Sequence, residues 1–255
     1  KVFVGLDNFK RMFSDPYLGI GLRNNLIISI AVPMVVFSIS LLLAYALTHK
    51  NFKENFIYRN IYFVPNVLSS VVVSLLFIFV YNGPYGMLNA LLKVFGIDTG
   101  KFYWLGSEQT ALGALIVAMI WGGVGTYLVI FMNAMNGIPK TIYESAILDG
   151  ATNMQRLFKI TIPLIWSTVK VSLLFYIVGL FKGYEFIKIM TDGGPGMSTY
   201  VVGLRMFNLA FGTKGGGVAT HDYGYASAIG MLLFVILITA KLLIDKFGKS
   251  ESVEY

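Results

Sequence analysis

The chain has 255 residues, 56% of them hydrophobic and only 13% charged, with a mean hydropathy of +0.71. Soluble domains carry about 25% charged residues, so composition excludes an ordinary water-soluble globule, and the absence of cysteine excludes disulfides, a thiolate nucleophile and a cysteine metal site. The net charge of +7 would point to nucleic acid in a soluble protein, but here Lys and Arg gather between apolar runs, as they do on membrane flanks.

The chain opens on Lys1 rather than Met and shows no signal peptide, so a missing N-terminal segment carrying a sixth span is expected. A helix needs about 20 apolar residues to cross the hydrocarbon core. Five stretches meet or approach that length: 22–47, 61–81, 110–135, 160–182 and 223–245. Residues 26–47, 61–81 and 110–135 carry no charge; the fourth stretch holds Lys170, and the fifth holds Lys241 near its end. Such runs have no polar face to offer water, which disfavours a soluble all-α core. Pro33, Pro65 and Pro163 fall inside or at the start of spans, where neighbouring helices can satisfy the freed carbonyls. Pro163 can also simply start its helix.

The connections differ in character. Residues 48–60 are short and basic (Lys50, Lys53, Arg59), and 82–109 carry turn signals at Gly83-Pro84 and Gly86. Residues 136–159 form a polar segment, and 183–222 form a long loop with Asp192-Gly193-Gly194-Pro195-Gly196 and Gly215-Gly216-Gly217. Within that loop, 200–211 reads as a short surface helix. Lys182 and Glu185, three apart, are placed to pair across one helix turn. His49 and His221 fall in connections and take no catalytic role; no catalytic set and no metal set is visible. The spacing G-x-x-x-x-G-K-[ST] is absent, and Gly212–Gly217 reads as a flexible turn rather than a phosphate loop.

The most specific signal is Tyr143–Leu164: Glu144-Ser145-Ala146, three residues, Gly150, nine residues, then Ile160-Thr161-Ile162-Pro163. This resembles the coupling-loop signature of permease subunits of binding-protein-dependent ABC importers, E-A-A, G, I-x-L-P, with Ser145 for the first Ala and Ile162 for the Leu. Other segments resemble the maltose/multiple-sugar class of that family. They are Val4-Gly5-Leu6-Asp7-Asn8-Phe9, Arg59 to Pro65, and Gly86 to Leu92 with Gly96 and Trp104-Leu105. Thr191-Asp192-Gly193-Gly194-Pro195 with Ser198-Thr199 and Ala210-Phe211, and Asp222 to Ala228, complete the set in order along the chain.

The resemblance implies an all-α polytopic membrane protein of the ABC importer permease type, in the cell membrane, moving a di- or oligosaccharide delivered by an extracellular binding protein. It places 136–159 in the cytoplasm as the coupling segment and 183–222 outside; Lys/Arg density in the connections leans the same way. It assigns ATPase coupling to Glu144, Ser145, Ala146, Asp149, Gly150 and Pro163. On this reading Glu144 lies near the start of a short helix, favoured by its dipole. Ala146 is small enough for a partner to approach, Gly150 turns with positive φ, and Asp149 caps the following helix.

The resemblance also implies a sugar path with candidates Gly122, Gly123, Thr126, Tyr127, Tyr176, Gly179, Lys182, Gly183 and Tyr184; of the family's site residues only Gly123 is kept. No cofactor is expected in this chain, ATP and Mg being bound by two partner ATPase subunits, and a distinct second permease is expected beside it. Glycerol phosphate or an acidic sugar is the alternative cargo. A membrane-embedded transferase acting on lipid-linked sugar is the rival class, and it lacks the carboxylates it would need within the spans.

Overall fold

The computed structural model describes residues 4–49, 55–214, 218–219 and 221–247. Lys50 and Lys53 of the basic connection, Gly215 to Gly217, and the tail beyond residue 247 lie outside them. In chain order the helices are α1 (Asp7–Met12), α2 (Pro16–His49), α3 (Asn55–Val67), α4 (Ser70–Val80), α5 (Met87–Val94), α6 (Ala111–Asn136), α7 (Lys140–Leu148) and α8 (Asn153–Arg156). A π-helical turn (Leu157–Thr161) runs into α9 (Ile162–Leu164). It is followed by α10 (Trp166–Lys182), α11 (Tyr184–Met190), α12 (Val202–Phe211) and α13 (Tyr223–Phe247). Strands β1 (Thr213–Lys214) and β2 (Val218–Ala219) form a two-residue antiparallel ladder, so the stretch expected as a flexible turn has paired backbone at its base.

Among the described residues α2, α6 and α13 are each long and apolar enough to cross a membrane, and two bent pairs bring the number to five if each pair is one span. The single helix expected over 61–81 is one of these pairs: α3 and α4 meet at 98°. Pro65 takes one N–H out of α3 near its end, and Ser69, extended at φ −66° and ψ 154°, restarts the chain by accepting the Val72 N–H at 3.3 Å. The span expected from 160 is likewise bent by 71°, between Asn153–Leu164 and α10. α2 reaches back past residue 22 to Pro16 and forward to His49, which therefore ends a helix instead of lying in a connection. Large apolar side chains stay exposed along the helices, among them Met34, Phe79, Phe175 and Phe234. A solvent of hydrocarbon tolerates that display; water does not.

The chain divides into two compact units. The first comprises Lys1–Val32, Leu68–Met119 and Ile177–Ile238. Its core gathers Leu18, Phe181, Val202, Leu209, Tyr225 and Ile229, and α11 lies against α4 and α12. Asn24 and Asn25, buried in α2, bind the glycine-rich loop. Asn24 Nδ2 donates to the carbonyls of Ser198 (3.1 Å) and Tyr200 (2.9 Å), and Asn25 Oδ1 accepts the Val202 N–H (2.9 Å). Thr199 Oγ1 donates to the Gly194 carbonyl at 2.8 Å. In the connection 82–109, Asn89 holds Gly83, Phe102, Thr99 and the Trp104 indole in one network.

Asp15 is the electrostatic centre of this unit. Its Oδ2 accepts from Arg205 (2.9 and 3.1 Å) and from the Tyr225 hydroxyl (2.8 Å), and its Oδ1 accepts the Tyr17 N–H (3.0 Å). Burial pushes the carboxyl up in pKa, but the hydrogen bonds from Tyr225 and Arg205, with the charge of Arg205, outweigh burial and leave it below its ordinary value.

The second unit comprises Pro33–Val67, Ile120–Tyr176 and Thr239–Tyr255. Val36, Phe37, Ala44, Leu128, Phe131, Met135 and Leu157 are buried in it, and Ser40 Oγ donates to the Val124 carbonyl at 3.0 Å.

Asp15→Ala strands the Arg205 charge and should cost about 3–5 kcal/mol, read as a lower melting temperature of the purified protein. With a folded pKa below the unfolded value of about 3.9, Asp15 stabilises fully above that pH and loses its contribution as pH falls through the folded value. Wild-type melting should therefore drop more steeply than that of Asp15→Asn below about pH 4.

Candidate functional site

The polar segment after α6 folds as a helical elbow inside the second unit. α7 turns Tyr143 and Ala146, three apart, inward, where they are 8% and 7% exposed. Glu144, Ser145, Ile147 and Leu148 face outward, Leu148 being 88% exposed. Ala146 thus packs into its own unit. Glu144 sits in mid-helix, with no acidic residue in the first turn, so the dipole benefit expected for it is absent. Among the described residues Glu144 makes no ion pair, which leaves its carboxylate available.

α7 ends in a Schellman motif. The Gly150 N–H donates to the Ile147 carbonyl (3.0 Å) and the Ala151 N–H to the Ala146 carbonyl (2.9 Å), which requires Gly150 at φ +76°. A Cβ on Gly150 would meet nothing within 4 Å, so glycine is needed there for its backbone and not for space inside this chain. Asp149 ends α7 instead of capping α8. Thr152 does that in a capping box: its hydroxyl accepts the Gln155 N–H (3.3 Å), and Gln155 Oε1 accepts the Thr152 N–H (2.8 Å).

The elbow is tied shut by two hydroxyls. Thr161, fully buried, donates to the Arg156 carbonyl at 3.1 Å across the π-turn, so the Tyr143 hydroxyl donates to Thr161 at 3.0 Å. The π-turn precedes Pro163, whose ring and missing N–H disturb the regular ladder one turn back. Pro163 therefore lies within a continuing helical path that bends only at Ile165 (φ −96°, ψ 11°).

The residues expected on a sugar path fall into both units. In the second, the Tyr176 ring stacks parallel to Phe37 (5.9 Å, 4°) and packs on Tyr127 (4.7 Å), which in turn packs on Phe37 (4.7 Å). The Tyr127 and Tyr176 rings are thus engaged in side-chain packing within the second unit. The Tyr176 hydroxyl sits over Gly123, where a Cβ would strike it, while Gly122 is open. Thr126 Oγ1 donates to Asn66 Oδ1 at 2.5 Å, and Asn66 Nδ2 is buried without a partner among the described residues. Sequence reasoning passed over Asn66; the signal was a lone carboxamide in an uncharged run, costly in hydrocarbon unless used.

In the first unit, Gly179 and Lys182 are exposed, Gly183 ends α10, and Tyr184 stacks on Phe207 at 4.8 Å. The pair expected between Lys182 and Glu185 is absent among the described ion pairs, because the helix breaks at Gly183 between them; Lys188 pairs with Asp192 at 3.0 Å instead.

A family model described as "Binding-protein-dependent transport system inner membrane component" matches residues 12–251. The chain is 32% identical to the diacetylchitobiose uptake system permease protein of Streptomyces coelicolor, over 95% of this chain and 69% of that protein. It is 30% identical to the multiple sugar-binding transport system permease protein of Streptococcus mutans, over 98% of this chain and 81% of that protein. Its fold resembles a chain in the crystal structure of a bacterial ABC transporter involved in the import of the acidic polysaccharide alginate. The TM-score is 0.84 at 24% identity, covering 98% of this chain and 85% of that one.

The packing around α6 makes a paired prediction. A Cβ at Gly125 would run into the Tyr62 carbonyl, whereas one at Gly122 meets nothing. Gly125→Ala should cost about 1–3 kcal/mol or prevent accumulation, while Gly122→Ala should melt with wild type; expression level and thermal melting separate them.

Proposed function

We propose, from the premise that this chain belongs to the binding-protein-dependent transport system inner membrane component family, how such a permease couples ATP to sugar import. The chain is a multi-pass permease subunit of an ABC importer in the cell membrane, and its relatives' cargoes make it a carbohydrate importer served by a solute-binding protein. A di- or oligosaccharide is the cargo we infer. ATP and Mg are bound by two separate ATPase subunits, and a second, distinct permease completes the pathway.

The elbow of α7, Gly150 and α8 carries this reading. Its outward face offers a carboxylate at Glu144 that makes no ion pair among the described residues, the Ser145 hydroxyl, and an apolar tip at Ile147 and Leu148 beside a turn that no described side chain crowds. An exposed leucine on a polar elbow is well suited to sit in a cleft of another protein. The Schellman turn, the capping box and the Tyr143–Thr161 bond hold the two helices of the elbow as one body. A pull on α7 is therefore passed through the π-turn and Pro163 to the start of α10. Closure of nucleotide-loaded ATPases supplies the pull and switches the permease between inward- and outward-open states. On this reading the cargo passes near Gly122, Gly123 and Thr126, with Tyr127 and Tyr176 as packed walls and Gly179, Lys182, Gly183 and Tyr184 as further candidates.

The 255 residues contain no cysteine, so Leu148→Cys introduces one thiol among them. It should cross-link to an ATPase subunit in membranes from cells making the whole transporter. Labelling of that thiol by an impermeant reagent added outside, with no cross-link, would remove the coupling role. Gly150→Asp should assemble normally and lose ATP-driven sugar uptake by at least about tenfold, a loss of coupling worth about 1.4 kcal/mol or more; full uptake would count against docking at the turn.

A further inference from the structure

Helix α5 is inside out for a helix in water. Its one buried side chain, Asn89, is polar, with Leu88 and Leu92 half-buried beside it. Met87, Leu91, Val94 and the C-cap Phe95 are exposed, Val94 at 81% and Phe95 at 74%. Their spacing of i, i+4, i+7 and i+8 sets them in one stripe on the side away from Asn89, and Lys93, also exposed, falls outside that stripe. The inward carboxamide is fully used. Asn89 Nδ2 donates to the Gly83 and Phe102 carbonyls (2.9 and 3.0 Å), and Oδ1 accepts from Thr99 Oγ1 (2.9 Å) and Trp104 Nε1 (2.8 Å).

Both sides of α5 are anchored to membrane helices within the first unit. A Cβ on Gly86, the N-cap of α5, would meet the Val80 carbonyl at 2.7 Å, so α5 begins against the last residue of α4. On the other side Asn89 holds the Trp104 indole, and Thr110 Oγ1 donates to the Trp104 carbonyl at 2.7 Å one residue before α6 begins. The far end of α5 is closed by a Schellman turn. The Gly96 N–H donates to the Lys93 carbonyl and the Ile97 N–H to the Leu92 carbonyl, both at 3.0 Å, with Gly96 at φ +81°. These bonds strap the helix at the ends of α4 and α6, and the exposed apolar surface of α4, Phe79 included, leads directly onto it.

We propose that α5 lies in the bilayer interface, with the stripe of Met87, Leu91, Val94 and Phe95 seated against lipid acyl chains at headgroup depth and Lys93 turned to the lipid phosphates. Continuity with the lipid-facing surface of α4 selects a lipid surface as the occupant, and a lysine beside the apolar stripe complements its anionic headgroups. The inference rests on the membrane location of the flanking helices and not on the coupling or cargo roles assigned above, so its failure leaves those untouched.

The test is a nitroxide depth measurement on the assembled transporter in vesicles of palmitoyloleoylphosphatidylcholine and palmitoyloleoylphosphatidylglycerol. Leu91→Cys, Val94→Cys and Lys93→Cys each give this cysteine-free sequence one thiol to label. Labels at 91 and 94 should meet molecular oxygen several-fold more often than the water-soluble chelate nickel ethylenediaminediacetate, at a depth of about 5–10 Å into the interface. The label at 93 should show the reverse order. Labels at 91 and 94 as open to the nickel chelate as the one at 93 would mean that the stripe stands in water, and the proposal fails. Labels at 91 and 94 shut off from both probes would mean that protein covers the stripe, another subunit or the solute-binding protein, and the lipid assignment fails equally. Leu91 and Val94 are both exposed, so either position decides the matter if the other variant does not accumulate.

Discussion

Within hydrocarbon no water is available to a freed N–H or carbonyl, so every interruption of a helix must be satisfied by the chain itself. That constraint explains where this protein bends. The turn between α3 and α4 is held by the Ser69 side chain, and the irregular stretch before α10 is held by Thr161, which returns a hydrogen bond to the Arg156 carbonyl. Pro163 is tolerated because the π-turn ahead of it has already departed from the regular ladder. The asparagines of α2 are the same constraint met in reverse: Asn24 and Asn25 are buried because the irregular loop around Ser198 to Val202 needs their amides.

The elbow shows how several weak local devices make one stiff element. A Schellman turn, a capping box and a hydroxyl pair each contribute about 1 kcal/mol, and all three act between Tyr143 and Thr161, the stretch that links α7 to the start of α10. Rigidity there is what the proposed coupling role requires, since a hinge at Gly150 would absorb a push before it reached the membrane. The glycine serves a fixed left-handed turn, not a flexible one. The outward face, by contrast, has a Glu144 carboxylate with no ion pair among the described residues and an exposed Leu148, which make sense as surface reserved for contact.

Used and unused polar groups occur in both interiors, Ser29 and Ser198 of the first unit also having buried hydroxyls without a partner among the described residues. In the first unit the buried charge of Asp15 is fully spent on Arg205, Tyr225 and Tyr17, so it stabilises and does nothing further. In the second unit Asn66, Tyr45, Thr48 and Arg156 each have a buried atom without a partner among the described residues.

Much was legible in the residues alone. Long uncharged runs dictated helices in a membrane, and the ordered motifs from Val4 to Ala228 pointed to the family that the comparison identifies. Gly150 was readable as a positive-φ turn because local backbone chemistry decides such positions. Whether 61–81 is one helix or a bent pair was not readable, since Pro65 and Ser69 permit either and only packing selects the bend. Side-chain direction was lost for the same reason: Ala146 and Tyr143 turn inward because Thr161, 18 residues on, waits for the Tyr143 hydroxyl. The Lys182–Glu185 pair fails because Gly183 ends the helix between them, and Tyr176 covers Gly123 because Phe37 and Tyr127 hold its ring there. Sequence alone settled the solvent, the helices and the family, through composition and local spacing. Tertiary structure settled which faces are spent and which are offered, because that depends on partners far away in the chain.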